Sequence, residues 1–495
     1  MDPIVKTRHG ELRGRIEDGV AVFRGVPFAA PPFGPRRFRP PQPVEPWTGV
    51  RDATAVGAIP PALPPAPEVR AFVPDAGVAG EDCLNLTLWT PEVGPADLPV
   101  MVWITGGFFK YGSGAPYDGS RFARDGVVCV TLNYRAGPEG FLDLGDGLAD
   151  LGLLDQVAAL EWVRDSVADF GGNPGEVTVF GESAGAMSIG TLLSMPRSEG
   201  LFHRAIAQSG AAHTVSPAAD ARRVAADLAA RLGVPATREA LAAVPLERLW
   251  QAQAELEAAL EADPDPRRWG REMALGRLPW QPSIDGDVVP ERPIDRIAAG
   301  AGGGVDLIVG TTVDEGRLGL VASGAVDRVP AGALREAAAL FGLDPDRAEA
   351  AYRAAYPGQG EGDLLAALQT DGFWRIPALR LADAHTAGPA ATYMYEFAWR
   401  SPAFGGLLGA CHGLDVPFVF DTLGPGAMLG PALGDDPPRE LAHAMHSAWV
   451  AFAAHGDPGW PAYEPTRRAT MRFDTTSEVV DDPRAAERRL WAGVR

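Results

Sequence analysis

The stretch at residues 177–193, VTVFGESAGAMSIGTLL, carries the strongest signal for the fold. Its first four residues are β-branched or aromatic and predict a buried strand, while residues 186–193 predict a helix. Ser183 lies between the two, with Gly181 and Gly185 two positions before and after it. A sharp strand-to-helix turn projects a serine hydroxyl above a sheet, and glycine admits neighbouring backbone that a Cβ would block. Because the chain has 59 glycines, a G-x-S-x-G pattern arises easily by chance, so its place between strand and helix carries the inference.

The segments on both sides of this stretch alternate between strand and helix patterns. Apolar runs predict strands at residues 98–104, 127–134, 204–207, 306–309 and 392–397, and helical spacing predicts helices at 153–167, 218–230 and 247–262. This alternation predicts an α/β fold with a doubly wound, mostly parallel sheet covered by helices on both faces. Residues 5–28 predict an antiparallel meander at the sheet edge, and the prolines between residues 31 and 67 predict extended surface loops. With no internal repeat or clear boundary, we expect residues 1–495 to form a single domain with insertions.

Composition and charge exclude several classes of function. The chain has 44 basic and 64 acidic residues, and its formal net charge of −20 repels nucleic acid, so we expect no nucleic-acid partner. No window approaches the roughly 18 to 20 apolar residues that span a bilayer, and the first ten residues carry no secretory apolar region, so we expect no membrane partner. Three cysteines, at positions 83, 129 and 411, are too few for a disulfide framework. These features predict a cytoplasmic protein.

A serine hydroxyl is a poor nucleophile near neutral pH, so Ser183 needs a histidine base and an acid that orients it. In this arrangement the acid and then the histidine follow the serine along the chain. His412 comes after the predicted strand 392–397 by a loop and is the first candidate, with His455 in reserve. Asp314 and Glu315 both follow the carboxyl end of the predicted strand 306–309, where α/β active sites assemble.

The two histidines at positions 443 and 446 form a second pattern with a possible chemistry. They lie three residues apart on a predicted helix, a spacing that metal ligands use. No third ligand stands at a useful distance in the sequence, so a plain helix face is the favoured interpretation, and we expect no metal and no organic cofactor.

Six motifs together resemble the type B carboxylesterases, the family that includes the cholinesterases. They are GESAGA at 181–186, DCLNL at 82–86, NYR at 133–135, GLLDQ at 152–156, FGGNP at 170–174 and QSG at 208–210. The similarity extends from residues 23–27 to residues 456–458 and covers nearly the whole chain. It implies an α/β-hydrolase fold and the hydrolysis of carboxylic esters through Ser, Glu and His. The family's acid lies in a T-x-x-E-G-like stretch that matches TVDEG at 312–316, so the resemblance assigns the acid to Glu315, and it assigns the base to His412.

The oxyanion loop departs from the family pattern. Family members usually carry three small residues after the strand, whereas TGGFF at 105–109 has Phe108 in third place. A tetrahedral oxyanion needs backbone amides, so we expect the N–H groups of Gly107, Phe108 and Ala184 to be the donors. Gly106 supports this loop. The bulk of Phe108 predicts poor acceptance of hindered substrates such as esters of tertiary alcohols.

The resemblance also suggests residues around the reacting groups, each with a plain structural alternative. Glu182 and Ser209 are candidates for supporting the triad, against a buried structural carboxylate and an ordinary turn serine. Leu278, Trp280 and Phe109 are candidates for the substrate pocket, against core packing. Cys83 matches a cysteine that pairs with an upstream partner in secreted members, but no cysteine precedes it here.

The resulting prediction is a serine hydrolase that cleaves small-molecule carboxylic esters through an acyl-enzyme. Three alternatives stay open: a related hydrolase of carbamates, amides or lactones, an inactive adhesion or scaffold member of the same fold, and a protein that binds small molecules in the pocket without reaction. No pattern in the chain sets an oligomeric state.

Overall fold

The structure, a computed structural model, describes residues 2–74 and 77–494. In chain order its strands are β1 (Ile4–Thr7), β2 (Gly10–Arg13), β3 (Arg15–Glu17), β4 (Val20–Pro27), β5 (Val50–Asp52), β6 (Asn85–Thr90), β7 (Leu98–Ile104), β8 (Val128–Leu132), β9 (Gly172–Glu182), β10 (Arg204–Gln208), β11 (Ser216–Pro217), β12 (Ser283–Ile284), β13 (Asp306–Thr312), β14 (Thr392–Phe397), β15 (Ala469–Phe473) and β16 (Glu478–Asp481).

The α-helices are α1 (Pro67–Arg70), α2 (Ser120–Arg124), α3 (Gly137–Phe141), α4 (Leu151–Ser166), α5 (Ala184–Leu192), α6 (Ala218–Leu232), α7 (Arg238–Ala242), α8 (Leu246–Ala262), α9 (Pro266–Trp269), α10 (Arg271–Gly276), α11 (Pro293–Ala298), α12 (Arg317–Ala322), α13 (Ala333–Phe341), α14 (Pro345–Ala355), α15 (Glu361–Gln369), α16 (Ile376–His385), α17 (Val416–Val419), α18 (Arg439–His455) and α19 (Ala485–Leu490). A π-helical turn, Thr370–Arg375, connects α15 to α16. Short 3-10 turns lie at Gly34–Arg36, Val167–Phe170, Pro196–Ser198, Val326–Arg328 and Gly430–Ala432.

Within the described residues, eleven strands form the central sheet in the order β16-β15-β14-β13-β10-β9-β7-β8-β6-β4-β3. The run from β8 to β15 is parallel. The outer strands β16, β6, β4 and β3 pair antiparallel with their neighbours. The predicted α/β class is therefore confirmed. The meander predicted for residues 5–28 is confirmed for β3 and β4, which lie at the sheet edge, whereas β1 and β2 form a separate three-stranded sheet with β5.

Alternation along the strands divides the core between the two faces of the sheet. On β7, Val102 belongs to the core cluster that includes α4, α5 and α16, whereas Trp103 belongs to the cluster that includes α2, α17 and α18. Successive side chains of a strand point to opposite faces, so a strand of apolar residues at every position must be covered on both sides. Helices on both faces meet that requirement, as the sequence predicts.

The turn between β9 and α5 is tightly packed against β7. A Cβ added at Gly181 would lie 2.5 Å from the carbonyl oxygen of Ile104, and one added at Gly185 would lie 2.0 Å from the same oxygen. Ser183, between them, has φ 57° and ψ −124°, a strained conformation for a residue with a side chain. The two glycines therefore allow the close approach of β7 that the sequence pattern predicts, and the strained turn raises Ser183 above the sheet.

Most strand predictions are confirmed, with differences at the ends. β9 runs from Gly172 to Glu182, much longer than the apolar core at 177–180. Gly172 pairs with Leu98 at the start of β7, and the register shifts before the next pair, Val177 with Val100. The proline-rich residues 60–66 form extended loop, as expected. Among the described residues, no helix has both the length and the apolar character that crossing a membrane requires.

Candidate active site

Three loops at the carboxyl ends of parallel strands bring Ser183, Glu315 and His412 together. Ser183 follows β9, Glu315 follows β13, and His412 lies in the loop after β14. These strands belong to one parallel run of the sheet, so their carboxyl ends share one edge. All three side chains are buried, and all three line one cavity.

The three side chains form a continuous hydrogen-bonded chain. The Ser183 hydroxyl donates to His412 Nε2 across 2.9 Å, and His412 Nδ1–H donates to Glu315 Oε2 across 2.5 Å. Glu315 Oε1 accepts from the backbone N–H of Thr312 at 2.8 Å, which fixes the carboxylate in its turn. In this arrangement the imidazole can accept the serine proton while its other nitrogen stays bound to a carboxylate.

The alternative residues weighed from the sequence lie elsewhere. Asp314 accepts from Arg400 and from the backbone N–H of Ala410, each at 2.9 Å, and does not reach His412. His455 is exposed at the end of α18. His446 is buried and donates to the carbonyl of Val419, while His443 is exposed. Among residues 2–74 and 77–494 no group of three or more His, Cys, Asp or Glu side chains is arranged to hold a metal ion.

Glu182 places a further carboxyl beside the imidazole. Its Oε1 atom lies 3.1 Å from His412 Nε2, without the geometry of a hydrogen bond. Burial raises the pKa of Glu182 to about 8, against the opposing charge of His412. Burial also disfavours the charged imidazole, but the negative charges of Glu182 and Glu315, together with the hydrogen bond to Glu315, outweigh it and raise the pKa of His412 to about 9.

A buried polar network lies next to this group. Asp415 Oδ2 accepts from the hydroxyl of Tyr395 at 2.7 Å and from Gln208 Nε2 at 3.0 Å, and Trp449 Nε1 donates to Gln208 Oε1 at 3.1 Å. Burial raises the pKa of Asp415 to about 6. The network joins the loop of His412 to the end of β10, to β14 and to α18.

The loop after β7 approaches Ser183 closely. A Cβ at Gly106 would lie 2.7 Å from the carbonyl oxygen of Glu182 and 3.0 Å from Ser183 Cβ, so glycine is required at this contact. Gly107 has φ 116°, and Phe108 has φ 59°. The N–H groups of Gly107 and Phe108 donate to no backbone carbonyl in the described parts of the chain. Ala184 begins α5, and an N–H at a helix start has no intrahelical acceptor.

Gly107, Phe108 and Ala184 all line the cavity that contains Ser183, and among the described residues their N–H groups have no backbone acceptor. Of the two other supporting candidates, Glu182 contacts the imidazole as described above. Ser209 is buried at the end of β10 with φ 53°, its N–H donates to the carbonyl of Gly310, and its hydroxyl has no partner among the described residues.

Ser183 opens into a cavity of about 1500 Å³ with mostly apolar walls. Its lining includes Ile59, Leu63, Phe72, Phe108, Leu278, Leu318, Leu340, Phe373, Trp374 and Met428. Phe108 stays 41% exposed, so its side chain has free surface at the cavity, as expected from its place in the loop. The proline-rich loop at residues 59–65 forms one wall.

Two of the three pocket candidates do not reach the cavity, and this part of the prediction needs correction. Leu278 lines the cavity, but Phe109 is fully buried and packs edge-on against Phe141 at 5.0 Å. Trp280 is also buried, 1% exposed, and contributes nothing to the lining. At both positions the side chain joins the hydrophobic core, the alternative that the sequence left open.

Trp374 is a site residue that sequence reasoning missed. Its ring lies 5.2 Å from the imidazole of His412, between centroids, with the planes inclined by 47°. Phe373 and Trp374 stand in the π-helical turn, and nothing in their local pattern distinguishes them from core aromatics. The contact depends on packing between distant segments, which the sequence pattern does not reveal.

Comparisons with known proteins identify the family of this chain. The model of the carboxylesterase family matches residues 1–491. The chain is 39% identical over 503 residues to para-nitrobenzyl esterase from Bacillus subtilis (strain 168), with 98% of each protein covered. It is 33% identical over 538 residues to liver carboxylesterase from Sus scrofa, covering 99% of this chain and 92% of that protein. The crystal structure of a Geobacillus stearothermophilus carboxylesterase at pH 6.2 matches with a TM-score of 0.85 and 36% identity over 99% of both chains.

Proposed function

Since the chain belongs to the carboxylesterase family and is an ester hydrolase, we propose that Ser183 is its nucleophile, His412 its general base and Glu315 the acid that orients the base. The observation that carries this proposal is the hydrogen-bonded chain from Ser183 Oγ through the imidazole to Glu315.

In the first half of the reaction, Ser183 Oγ attacks the ester carbonyl carbon while His412 Nε2 takes the hydroxyl proton. The carbonyl oxygen becomes negative and accepts hydrogen bonds from the N–H groups of Gly107, Phe108 and Ala184. Glu315 stabilises the imidazolium through Nδ1–H. When the bond to the alcohol breaks, Nε2–H gives its proton to the leaving oxygen, and the acyl group remains on Ser183.

Water completes the cycle by the same steps. His412 takes a proton from water as the water oxygen attacks the acyl carbon, and the imidazolium then returns a proton to Ser183 Oγ. The products are a carboxylic acid and an alcohol, so one water molecule is consumed for each ester. The side chains and amides of this chain perform every proton transfer and charge stabilisation.

The walls of the cavity support small neutral esters as substrates. Their apolar side chains favour acyl and alcohol groups without charge. The net charge of −20 disfavours anionic substrates, and it also supports the absence of a nucleic-acid partner.

We infer further that the whole chain works as one domain in the cytoplasm. A single family match through residues 1–491 supports one domain. Cys83, Cys129 and Cys411 are all buried as free thiols, which suits a reducing compartment.

A phosphonate that reacts covalently with activated serines tests the assignment. We expect one equivalent to label the protein at Ser183, located by peptide mass spectrometry, and Ser183→Ala to lose both labelling and ester hydrolysis by several orders of magnitude. The exposed serine variant Ser477→Ala serves as the matched control and should keep both. Labelling at another residue, or hydrolysis that persists in Ser183→Ala, would contradict the proposal.

The same experiment separates the remaining alternatives. An inactive scaffold member would not react with the phosphonate, and a binding protein would hold esters without a burst of product. Matched esters, amides, carbamates and lactones of one acyl group then show which bond is cleaved fastest, and we expect the ester.

A further inference from the structure

The indole ring of Trp374 contacts the catalytic imidazole, and the mechanism above gives it no role. The ring centroids of Trp374 and His412 are 5.2 Å apart, with a 47° angle between the planes. Among the described residues, Trp374 supplies the one aromatic ring in contact with His412. A cation within about 6 Å of an indole ring is attracted to its electron-rich face. The imidazole becomes such a cation each time it takes the serine proton.

Trp374 is held in place by an unusual segment of backbone. It lies in the π-helical turn Thr370–Arg375, and turns of this kind often occur at functional sites. Arg375 donates to Asp371 at 2.6 Å inside the turn, and both side chains are almost fully buried. Tyr352 donates to the same carboxylate at 2.7 Å from α14. The turn is therefore anchored from the side away from the cavity by a buried ion pair and a tyrosine.

The same turn is bonded to the loop that carries the catalytic acid. Thr370 Oγ1 accepts from the backbone N–H of Gly316, the residue after Glu315, at 3.0 Å. Glu315 and Trp374 thus approach the imidazole from two segments that are tied to each other. Any shift of the π-helical turn would move both contacts of the imidazole together.

The imidazole has a second carboxylate within reach, which makes its orientation important. Nε2 lies 2.9 Å from Ser183 Oγ and 3.1 Å from Glu182 Oε1. Glu315 faces Nδ1 at 2.5 Å, and Asp415 adds a third buried carboxylate to the surroundings of the ring. An imidazolium that turned toward Glu182 would leave the departing alcohol without a proton donor. A rigid ring packed against the imidazole limits this movement.

We propose that Trp374 is a positioning residue for His412: its indole holds the imidazole toward Ser183 and stabilises the imidazolium that forms during acylation. This inference rests on the proposed function of the Ser183, His412 and Glu315 group. It extends that function by adding a residue that contacts the general base but takes no part in proton transfer.

The test compares Trp374→Phe, which keeps an aromatic face, with Trp374→Leu, which removes it. For Trp374→Leu we expect kcat for a small neutral ester to fall roughly three- to tenfold, as the loss of a contact of this kind predicts. The acid limb of the kcat/KM profile should move to lower pH by roughly half a unit, because the protonated imidazole loses a favourable contact. Trp374→Phe should keep most of the wild-type kcat and place the acid limb close to its wild-type pH.

Leu340→Ala is the matched control, because Leu340 lines the same cavity from α13 without an aromatic ring. It should change KM and leave the acid limb unchanged. The inference is overturned if the acid limb of Trp374→Leu lies at the same pH as that of the wild type. It is also overturned if Trp374→Phe has the same kcat and acid limb as Trp374→Leu, and Trp374 is then only part of the cavity wall. Phosphonate labelling of the wild type at Ser183 is measured alongside, since its absence would refute the proposed function, not the role of Trp374.

Discussion

At the scale of single residues, the turn after β13 gives two neighbouring carboxylates different tasks. Glu315 is 1% exposed and faces the imidazole, whereas Asp314 bonds to Arg400 and to the backbone of the loop before His412. The two side chains point in different directions because they are successive residues of one tight turn. Either residue type would serve as the acid, so their places in the turn decide their chemistry.

This difference leads to a paired prediction. Glu315→Gln should lower kcat by several orders of magnitude, because a neutral amide cannot stabilise the imidazolium and does not fix its tautomer. Asp314→Asn keeps the shape of the side chain and should stay within about tenfold of the wild type in kcat, since Asp314 does not touch the imidazole. Steady-state kinetics of both variants on one ester provide the measurement. The opposite ranking would assign the acid to Asp314.

The carboxyl group of Glu182 should set the pH at which the enzyme becomes active. The sequence alone places the titration of the base near the usual histidine value of about 6.5. In the structure, the charges of Glu182 and Glu315 outweigh burial and raise the pKa of His412 to about 9. Since only the neutral imidazole accepts the serine proton, activity should rise with pH up to that region.

The variant Glu182→Gln removes one of those charges. The pKa of His412 should then fall, and the acid limb of kcat/KM should shift to lower pH, with a larger neutral fraction of the base at pH 7. A profile from pH 5 to pH 10 with a neutral ester measures the shift, and Glu182→Asp is the charge-preserving control. If the limb keeps its position in Glu182→Gln, Glu182 does not act on the base electrostatically.

The side chain of Phe108 should limit the size of the substrate. It lines the cavity, remains 41% exposed, and belongs to the loop after β7, whose Gly106 packs against the Ser183 turn. Phe108→Ala should raise the ratio of kcat/KM for a tertiary-alcohol ester over that for a primary-alcohol ester by at least about tenfold. Phe404→Ala, an exposed phenylalanine outside the cavity lining, is the control. An unchanged ratio in a folded Phe108→Ala protein would show that other walls set the limit.

Single residues also show what sequence reasoning achieves and where it ends. Positions at the ends of parallel strands predicted that Ser183, a histidine and either Asp314 or Glu315 would meet at one edge of the sheet. The family resemblance was needed to choose Glu315 over Asp314 and His412 over His455. Phe109 and Trp280 were harder, since a side chain beside the site faces either the cavity or the core, and local sequence does not distinguish the two. Trp374 was missed because its contact with His412 depends on an irregular turn placed by long-range packing.

At the scale of elements, the β9 to α5 turn is closely packed against β7. Gly181 and Gly185 both meet the carbonyl oxygen of Ile104 on β7. Because Gly181 and Gly185 have no side chains, the end of β9 and the start of α5 can both lie in contact with β7. Strand positions were predictable from apolar runs, whereas the length of β9 was not, because its start depends on the pairing of Gly172 with Leu98 on β7 across a register shift.

Substitution of Gly185 tests this packing. A Cβ at Gly185 would lie 2.0 Å from Ile104 O, so main chain must move. We expect Gly185→Ala to lower the free energy of unfolding by roughly 3 kcal/mol, the upper part of the usual range for overpacking, and to reduce activity by displacing the Ser183 turn. Urea denaturation measures the first effect. Gly304→Ala, where a Cβ meets nothing within 4 Å, is the control and should leave stability nearly unchanged.

At the scale of the whole molecule, a buried ion pair connects segments that are far apart in the chain. Arg135 donates two hydrogen bonds to Asp155, from Nε at 2.8 Å and from Nη2 at 2.7 Å. Its Nη1 atom donates to the carbonyl oxygen of Arg39 at 2.7 Å. The two side chains are 1% and 0% exposed. Both belong to motifs that the sequence already marked, at 133–135 and 152–156, and their role is structural. They join the loop after β8 to α4 and to the proline-rich surface loop.

Loss of one partner should be costly for the fold as a whole. Asp155→Asn leaves a buried guanidinium without its charge partner, and we expect the free energy of unfolding to fall by about 3 to 5 kcal/mol. Arg36→Ala breaks the exposed pair with Glu45 and should cost less than about 1 kcal/mol. Thermal and urea denaturation of both variants check the contrast. If the free energy of unfolding falls no more in Asp155→Asn than in Arg36→Ala, the Arg135–Asp155 pair does not stabilise the contact between these segments.

The wide separation of the triad along the chain has a consequence for biosynthesis. Ser183 and His412 are 229 positions apart, and β14 must pair with β13 before the histidine loop has a platform. A nascent chain that has emerged from the ribosome only as far as β13 therefore carries a serine that lacks its base. It also presents an unpaired strand edge to the surrounding solution, a surface on which chains aggregate. Hydrolytic competence should appear late in synthesis and all at once, so the first turnover reports that the last parallel strands have joined the sheet.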